Sequence, residues 1–257
     1  MIAATARRGG GFGIFTLAMV ALFVGLGVWQ LQRRAEKHAL IAALTERLAA
    51  APSPLPSPAL WAGLTPADDE FRRVSFVAAY EPGPDAMVYG SGSAVREDIS
   101  GPGTWALLPA RLPDGETVVV NAGFVQNTML DRARQDRAVK PLVTGEPVAL
   151  TGYIRFPETA GVLTPAENIT TRLWFTRDHL AMAHALGWGE VAPFYIDLEA
   201  PLPVSGIPKP GALEVHLKDD HMQYAITWFV LAGAVVIAFG VWMRGQWRAA
   251  ASRQRGD

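Results

Sequence analysis

Five histidines are the only side chains here whose ordinary proton affinity lies near neutrality, and one of them stands apart by its neighbours. His221, Tyr224, Ala225 and Trp228 are spaced i, i+3, i+4 and i+7, so on a helix they share one face. From Met222 to Met243 no side chain is charged. An ionisable group at the mouth of so apolar a helix is costly to place and is a functional candidate. Neutral imidazole in that setting is a good axial ligand for haem iron. It is equally suited to hydrogen bonding with headgroups among interfacial aromatics, and the residues by themselves leave both roles open.

The remaining histidines offer less. His179 and His184 are five apart, whereas two ligands on one helix face need a spacing of three or four, so they read as surface or capping residues. His38, beside Glu36 and Lys37, reads as solvated, and His216 lies in the polar approach to the apolar stretch. There is no cysteine. That excludes attachment of a c-type haem, thiolate copper or zinc sites and a cysteine nucleophile. Met129 and Met182 are isolated, where a methionine copper site needs a cluster. No Gly-x-Ser-x-Gly, His-Glu-x-x-His or phosphate loop occurs, and Gly9-Gly10-Gly11 precedes an apolar run, not a phosphate-binding helix. Nothing points to an enzyme. No basic stretch interleaved with aromatics points to nucleic acid.

The elements that must position these residues begin with two long apolar stretches. The 257 residues are 50% hydrophobic and 18% charged, with a net charge of -1, but the apolar residues gather near the two ends. No side chain between Gly9 and Gln32 is charged. About 20 such residues cross the hydrocarbon core of a bilayer at ~1.5 Å rise each. A cleaved signal peptide would have a shorter apolar region and a small-x-small site. Here the run ends instead in Trp29-Gln30-Leu31-Gln32-Arg33-Arg34, an aromatic interface anchor with a charged continuation. The expected division is a tail at 1–10, a span at 11–31, a domain at 32–220, a second span at 221–243 and a tail at 244–257. Basic residues tie across the two sides: Arg7, Arg8, Arg244, Arg248, Arg253 and Arg255 against Arg33, Arg34, Lys37, Arg47, Lys209 and Lys218. Long loops translocate largely regardless of charge and the second helix is followed by four basic residues, so both tails are expected inside. The simplest location is a bacterial inner membrane with the main domain in the periplasm.

Gln32 to Ala51 reads as a helix continuing from the first span, stopped by Pro52-Ser53-Pro54-Leu55-Pro56, a stiff linker. Beyond it the pattern turns to period two. Strands are expected near 74–80, 86–89, 104–112, 116–125, 148–156, 171–174 and 194–198. Pro113-Asp114-Gly115 marks the clearest hairpin turn. A short helix is expected over Arg177–Leu186, capped by Thr176 and ended by Gly187. The fold class is therefore a membrane protein in which two transmembrane helices flank an extracytoplasmic α+β domain, with a mostly antiparallel sheet or partly open barrel. With no disulfide, that domain must rest on its own core.

Five short stretches together resemble the Surfeit locus protein 1 family of cytochrome oxidase assembly proteins. They are Leu26-Gly27-Val28-Trp29-Gln30-Leu31-Gln32-Arg33 with Lys37, Leu40 and Ile41; Phe71-Arg72-Arg73-Val74; Leu108-Pro109 with Asp114-Gly115 and Val118 through Val125; Trp174, Asp178, Met182 and Ala183; and His221-Met222-Gln223-Tyr224-Ala225-Ile226-Thr227-Trp228-Phe229. The resemblance covers about residues 25 to 230. Its most specific parts are the Trp-Gln-x-x-Arg exit and the His-x-x-Tyr-Ala-x-Thr-Trp-Phe stretch, one at each membrane boundary.

The resemblance implies a role in maturing the haem-copper oxidase core subunit, with that subunit, the lipid bilayer and a haem a synthesis enzyme as partners. It implies haem a as a transient cofactor, His221 as the candidate iron ligand, and Tyr224, Trp228, Trp29, Gln30 and Arg33 as its surroundings. Small residues at Gly25, Gly27, Ala232, Gly233 and Gly240 would let the helices approach and leave a flat apolar crevice. Trp29 and Trp228 would stack on or edge a porphyrin there. One stretch departs from the pattern: the family's Asn-Arg-Gly-Trp-Val-Pro is Asn121-Ala122-Gly123-Phe124-Val125-Gln126 here. The alternatives are a scaffold for oxidase subunits that binds no haem and a two-span periplasmic sensor, which would lack its own output module. A polysaccharide chain-length regulator shares the layout, but its outer domain would be long-helical where this one reads as sheet.

Overall fold

The computed structural model describes residues 2–93, 95–126, 131–214 and 219–253; Met129, His216, Lys218 and Arg255 lie outside them. The chain forms two compact units: Met1–Ala42 with Leu217–Asp257, and Ala43–His216.

The first unit is a helix pair. Helix α1 is Ile2–Ala49, and the last helix, α5, is His221–Arg253. Both contain stretches long and apolar enough to cross a membrane. Their outward faces are strongly apolar, with Ile14, Leu17, Ile237 and Val241 exposed. A soluble core helix would bury such residues. The less exposed positions recur in steps of four and three, as in a coiled-coil seam: Thr16, Val20, Phe23, Gly27, Gln30 and Arg34 on α1, and His221, Ala225, Trp228, Ala232, Val235, Phe239 and Trp242 on α5. The two run antiparallel, because Phe12 meets Trp242 at 4.7 Å between ring centroids, Phe23 meets Trp228 at 5.7 Å, and Gln30 meets His221.

The second unit is a mixed sheet with short helices. In chain order it contains β1 (Ser53–Pro54), a 3-10 turn (Pro58–Gly63), α2 (Pro66–Asp69), β2 (Arg73–Tyr80), β3 (Ala86–Gly92), β4 (Ser100–Arg111), β5 (Thr117–Gln126), α3 (Arg132–Val139), β6 (Val148–Arg155), β7 (Leu173–Trp174), α4 (His179–Leu186) and β8 (Tyr195–Ala200). The strand order is β1-β2-β6-β8-β5-β4-β3-β7, with β2 also pairing β4 through Ala79↔Arg111 and Tyr80↔Ala110. The long ladders are antiparallel, but β1–β2, β3–β7 and β5–β8 are parallel. The sheet is thus mixed but mostly antiparallel, as expected; the three short parallel pairs were not expected. The parallel pairs join segments distant in sequence, where no hairpin turn betrays them.

The hairpin at Pro113-Asp114-Gly115 joins β4 and β5 in register Arg111↔Thr117. Gly115 takes φ +94°, and Leu112 exchanges backbone hydrogen bonds with Gly115 and Glu116. Strands β4 and β5 are buried on both faces, so they are apolar almost throughout. Val118, Val120 and Ala122 pack with Ala106, Leu108 and Ile196 on one face; Val119, Trp105, Leu107 and Tyr195 pack with Met182 and Ala183 of α4 on the other.

Three local expectations are corrected. The cap of α4 is Asp178, whose carboxylate accepts from the Ala181 N–H at 3.0 Å, and not Thr176. His179 is no surface residue: it is fully buried, with Nε2 3.0 Å from the Ala192 carbonyl and its ring against Tyr195. Helix α3 was not expected, and the Pro-rich linker includes β1, which pairs with Val74 and Ser75.

Candidate functional site

The mouth of the helix pair gathers the polar residues that the apolar seam leaves at its end. Asp219 begins the arrangement. Its Oδ1 accepts the backbone N–H of His221 at 3.1 Å, satisfying a donor at the start of α5. Its Oδ2 lies 2.6 Å from His38 Nε2 and 3.3 Å from Arg34 Nε on α1. The hydrogen bond from His38 is the main reason the Asp219 carboxyl sits below the ordinary carboxylate range; the His221 N–H and Arg34 add to it. His38 is exposed, in line with its reading as solvated, but its ring is also engaged by Asp219.

One seam position inward, His221 Nδ1 lies 2.7 Å from Gln30 Oε1. A carboxamide oxygen only accepts, so this contact requires the proton on Nδ1. The neutral ring then carries its lone pair on Nε2, the arrangement that metal-binding imidazoles adopt when the other nitrogen donates to a fixed acceptor. Trp228 continues the face and stacks on Phe23 with an interplanar angle of 25°. Gly27 lies opposite Phe229, and a Cβ there would fall 2.6 Å from that ring.

The six anticipated residues divide in two. His221, Gln30 and Trp228 all lie on the seam, where His221 meets Gln30 and Trp228 meets Phe23. Trp29 is 48% exposed, and Tyr224 is 55% exposed. Arg33 points away too, paired with Glu36 at 2.8 Å and lying over the Trp29 ring at 6.0 Å. Its neighbour Arg34 takes the place across from α5, where it also approaches Met222 Sδ at 4.0 Å. The crevice expectation is narrowed in the same way. Gly27 and Ala232 face inward, while Gly25, Gly233 and Gly240 have open space before them. The residues missed were Arg34, His38 and Asp219; the three-four recurrence through Gln30 and Arg34 was the available signal.

A second polar assembly lies within the sheet unit. Asp197 accepts from Asn121 Nδ2 at 2.6 Å and from Arg155 at 2.7 Å, and Arg155 also donates to Glu70 at 2.6 Å. Burial works against the charge of Arg155, but Asp197 and Glu70 more than offset it and raise its proton affinity. Asn121, Arg155 and Asp197 border a cavity of about 20 Å³ with Trp105 and Arg177, the guanidinium of Arg177 lying 5.0 Å from the Trp105 ring. The parallel register Asn121↔Asp197 creates the pair, and sequence alone does not reveal it.

The divergent stretch is explained by its surroundings. Ala122 is fully buried in the apolar cluster with Val120 and Ile196, so no charged group could project from it to a surface without leaving the core. Phe124 packs against Trp105 at 5.1 Å, and Gln126 donates to the Ser100 carbonyl at 3.3 Å. Gly123 has φ +125°, and any Cβ there would overlap the Lys209–Pro210 backbone.

Comparison with known sequences bears out the family resemblance. A model of the SURF1 family matches residues 17–233. A SURF1-like protein of Monosiga brevicollis is 30% identical over 254 residues, covering 95% of this chain and 91% of that protein. Surfeit locus protein 1 of Homo sapiens is 33% identical over 238 residues, covering 86% and 74% respectively. A SURF1-like protein of Rickettsia bellii is 25% identical over 227 residues, covering 87% of each.

Proposed function

This chain belongs to the SURF1 family, and on that premise we propose that it is a non-enzymatic assembly factor for a haem-copper terminal oxidase, assisting delivery of haem a to the core subunit. It sits in a bacterial inner membrane through α1 and α5, with the sheet unit in the periplasm and both tails in the cytoplasm. Its partners are the oxidase core subunit, the bilayer and a haem a synthesis enzyme; nucleic acid is not among them. The apolar exterior of the helix pair supports the membrane setting, because so many exposed aliphatic side chains favour hydrocarbon over water.

The observation that carries the haem role is the contact between His221 and Gln30. The donor set fits the group: an imidazole whose Nδ1–H is held by Gln30 and whose Nε2 can ligate iron, two turns along the same helix face from Trp228. His221 would hold the iron, and Gln30 would keep the ring in the ligating tautomer and orientation. Haem a is cargo here, and its redox chemistry belongs to the oxidase that receives it. Asp219, clamped by His38 and Arg34, fixes the first turn of α5 and hence the height of His221.

A scaffold that binds no haem is the second reading, favoured by the outward turn of Trp29 and Tyr224, which suits protein contact. The assembly role is tested by co-purification. A tagged chain extracted in mild detergent is expected to bring down an oxidase core subunit or a haem a synthesis enzyme. Recovery of neither would overturn it.

A further inference from the structure

The two ends of the helix pair differ in how their cations are neutralised. At the His221 end, Arg33 is paired with Glu36 and Arg34 with Asp219. At the far end, Arg244 and Arg248 of α5 have no acidic partner among the described residues, and no Asp or Glu occurs in the sequence between Asp220 and Asp257. Arg244, Trp247 and Arg248 are spaced i, i+3 and i+4, so two guanidinium groups and an indole lie on one helix face. Trp247 is 69% exposed, whereas Trp242, five residues earlier, is packed against Phe12 and Phe239. The apolar stretch ends at Met243, immediately before this face.

We infer that Arg244, Trp247 and Arg248 form a binding face for anionic phospholipid headgroups, with the guanidinium groups on phosphate and the indole at the interfacial level. Unneutralised arginines beside hydrocarbon need an anionic counterpart, and a phosphodiester meets the planar guanidinium with two acceptors. An exposed tryptophan at the same height is the usual interfacial anchor. The inference rests on the membrane reading above.

The test reconstitutes the full chain into phosphatidylcholine vesicles containing an equal fraction of either brominated phosphatidylglycerol or brominated phosphatidylcholine, and reads tryptophan quenching. Brominated phosphatidylglycerol is expected to quench more, with an enrichment of roughly fivefold per arginine at low salt and less at high salt. The excess should vanish in an R244Q/R248Q double variant and in Trp247→Phe. Equal quenching by the two lipids, or an excess that survives the double variant, overturns the headgroup face while leaving the membrane reading intact. Quenching by neither lipid removes the membrane reading itself.

Discussion

Gln30 on α1 and His221 on α5 are 191 residues apart in sequence, and their side chains meet at 2.7 Å at the mouth of an antiparallel helix pair. The contact fixes which imidazole nitrogen carries the proton and leaves the other to act as a ligand. Losing an acceptor of this kind typically weakens metal binding about 10- to 100-fold. Gln30→Leu is therefore expected to weaken haem a binding by at least about tenfold, read by spectral titration of the purified chain. Arg33→Gln is expected to leave affinity unchanged, because that guanidinium engages Glu36 and Trp29. Equal losses from both changes would mean that the contact has no special part.

Arg155 holds Asp197 and Glu70 together in the sheet unit. Removing one partner of a buried pair leaves an uncompensated charge, at a cost of about 3–5 kcal/mol. Arg155→Ala should lower the denaturant midpoint of the full chain in detergent accordingly. A paired change that also replaces Asp197 with Asn should recover part of the loss, because the remaining amide carries no charge. A midpoint within experimental scatter of the wild type would contradict this role.

Three tyrosines of the sheet unit make its stability sensitive to alkali. Burial, with help from Glu199, pushes the Tyr153 hydroxyl up to about 12. Burial raises Tyr80 as well, and burial together with Asp197 raises Tyr195. The folded form therefore holds these protons more tightly than the unfolded chain, whose tyrosines ionise near ~10. The resulting stability is complete below about pH 10 and is lost as pH rises from there through the folded values. Tyrosinate absorbance is expected to rise together with loss of near-ultraviolet circular dichroism. Ionisation of all five tyrosines well before any unfolding would contradict it.

Much of this architecture was legible in the sequence because its signals are local. Pro113-Asp114-Gly115 set the β4–β5 hairpin, and Gly187 ended α4 at φ +70°. What stayed hidden depended on partners far along the chain. The two long helices carry stretches that are apolar all round, so composition identifies them but does not say which face turns inward. Only the polar residues at the mouth reveal that face, and there adjacent arginines made the choice ambiguous: Arg33 fitted the family pattern, while Arg34 occupies the seam. Helix α3 has no apolar stripe to mark it, because Arg132–Val139 is mostly polar; Asp131, whose side chain accepts from the Arg134 N–H at 2.9 Å, is its one local sign. His179 reads as a surface or capping residue of a short helix, and only the return of the chain to Ala192 explains its burial.

The central claim is that His221 presents a ligating nitrogen to haem. The most direct measurement is the visible absorption spectrum of the full chain purified from a host that makes haem a, compared with His221→Ala at equal protein concentration. The account predicts a haem a spectrum in the wild type that is lost in the variant. Two preparations equally colourless, or equally coloured, would contradict it.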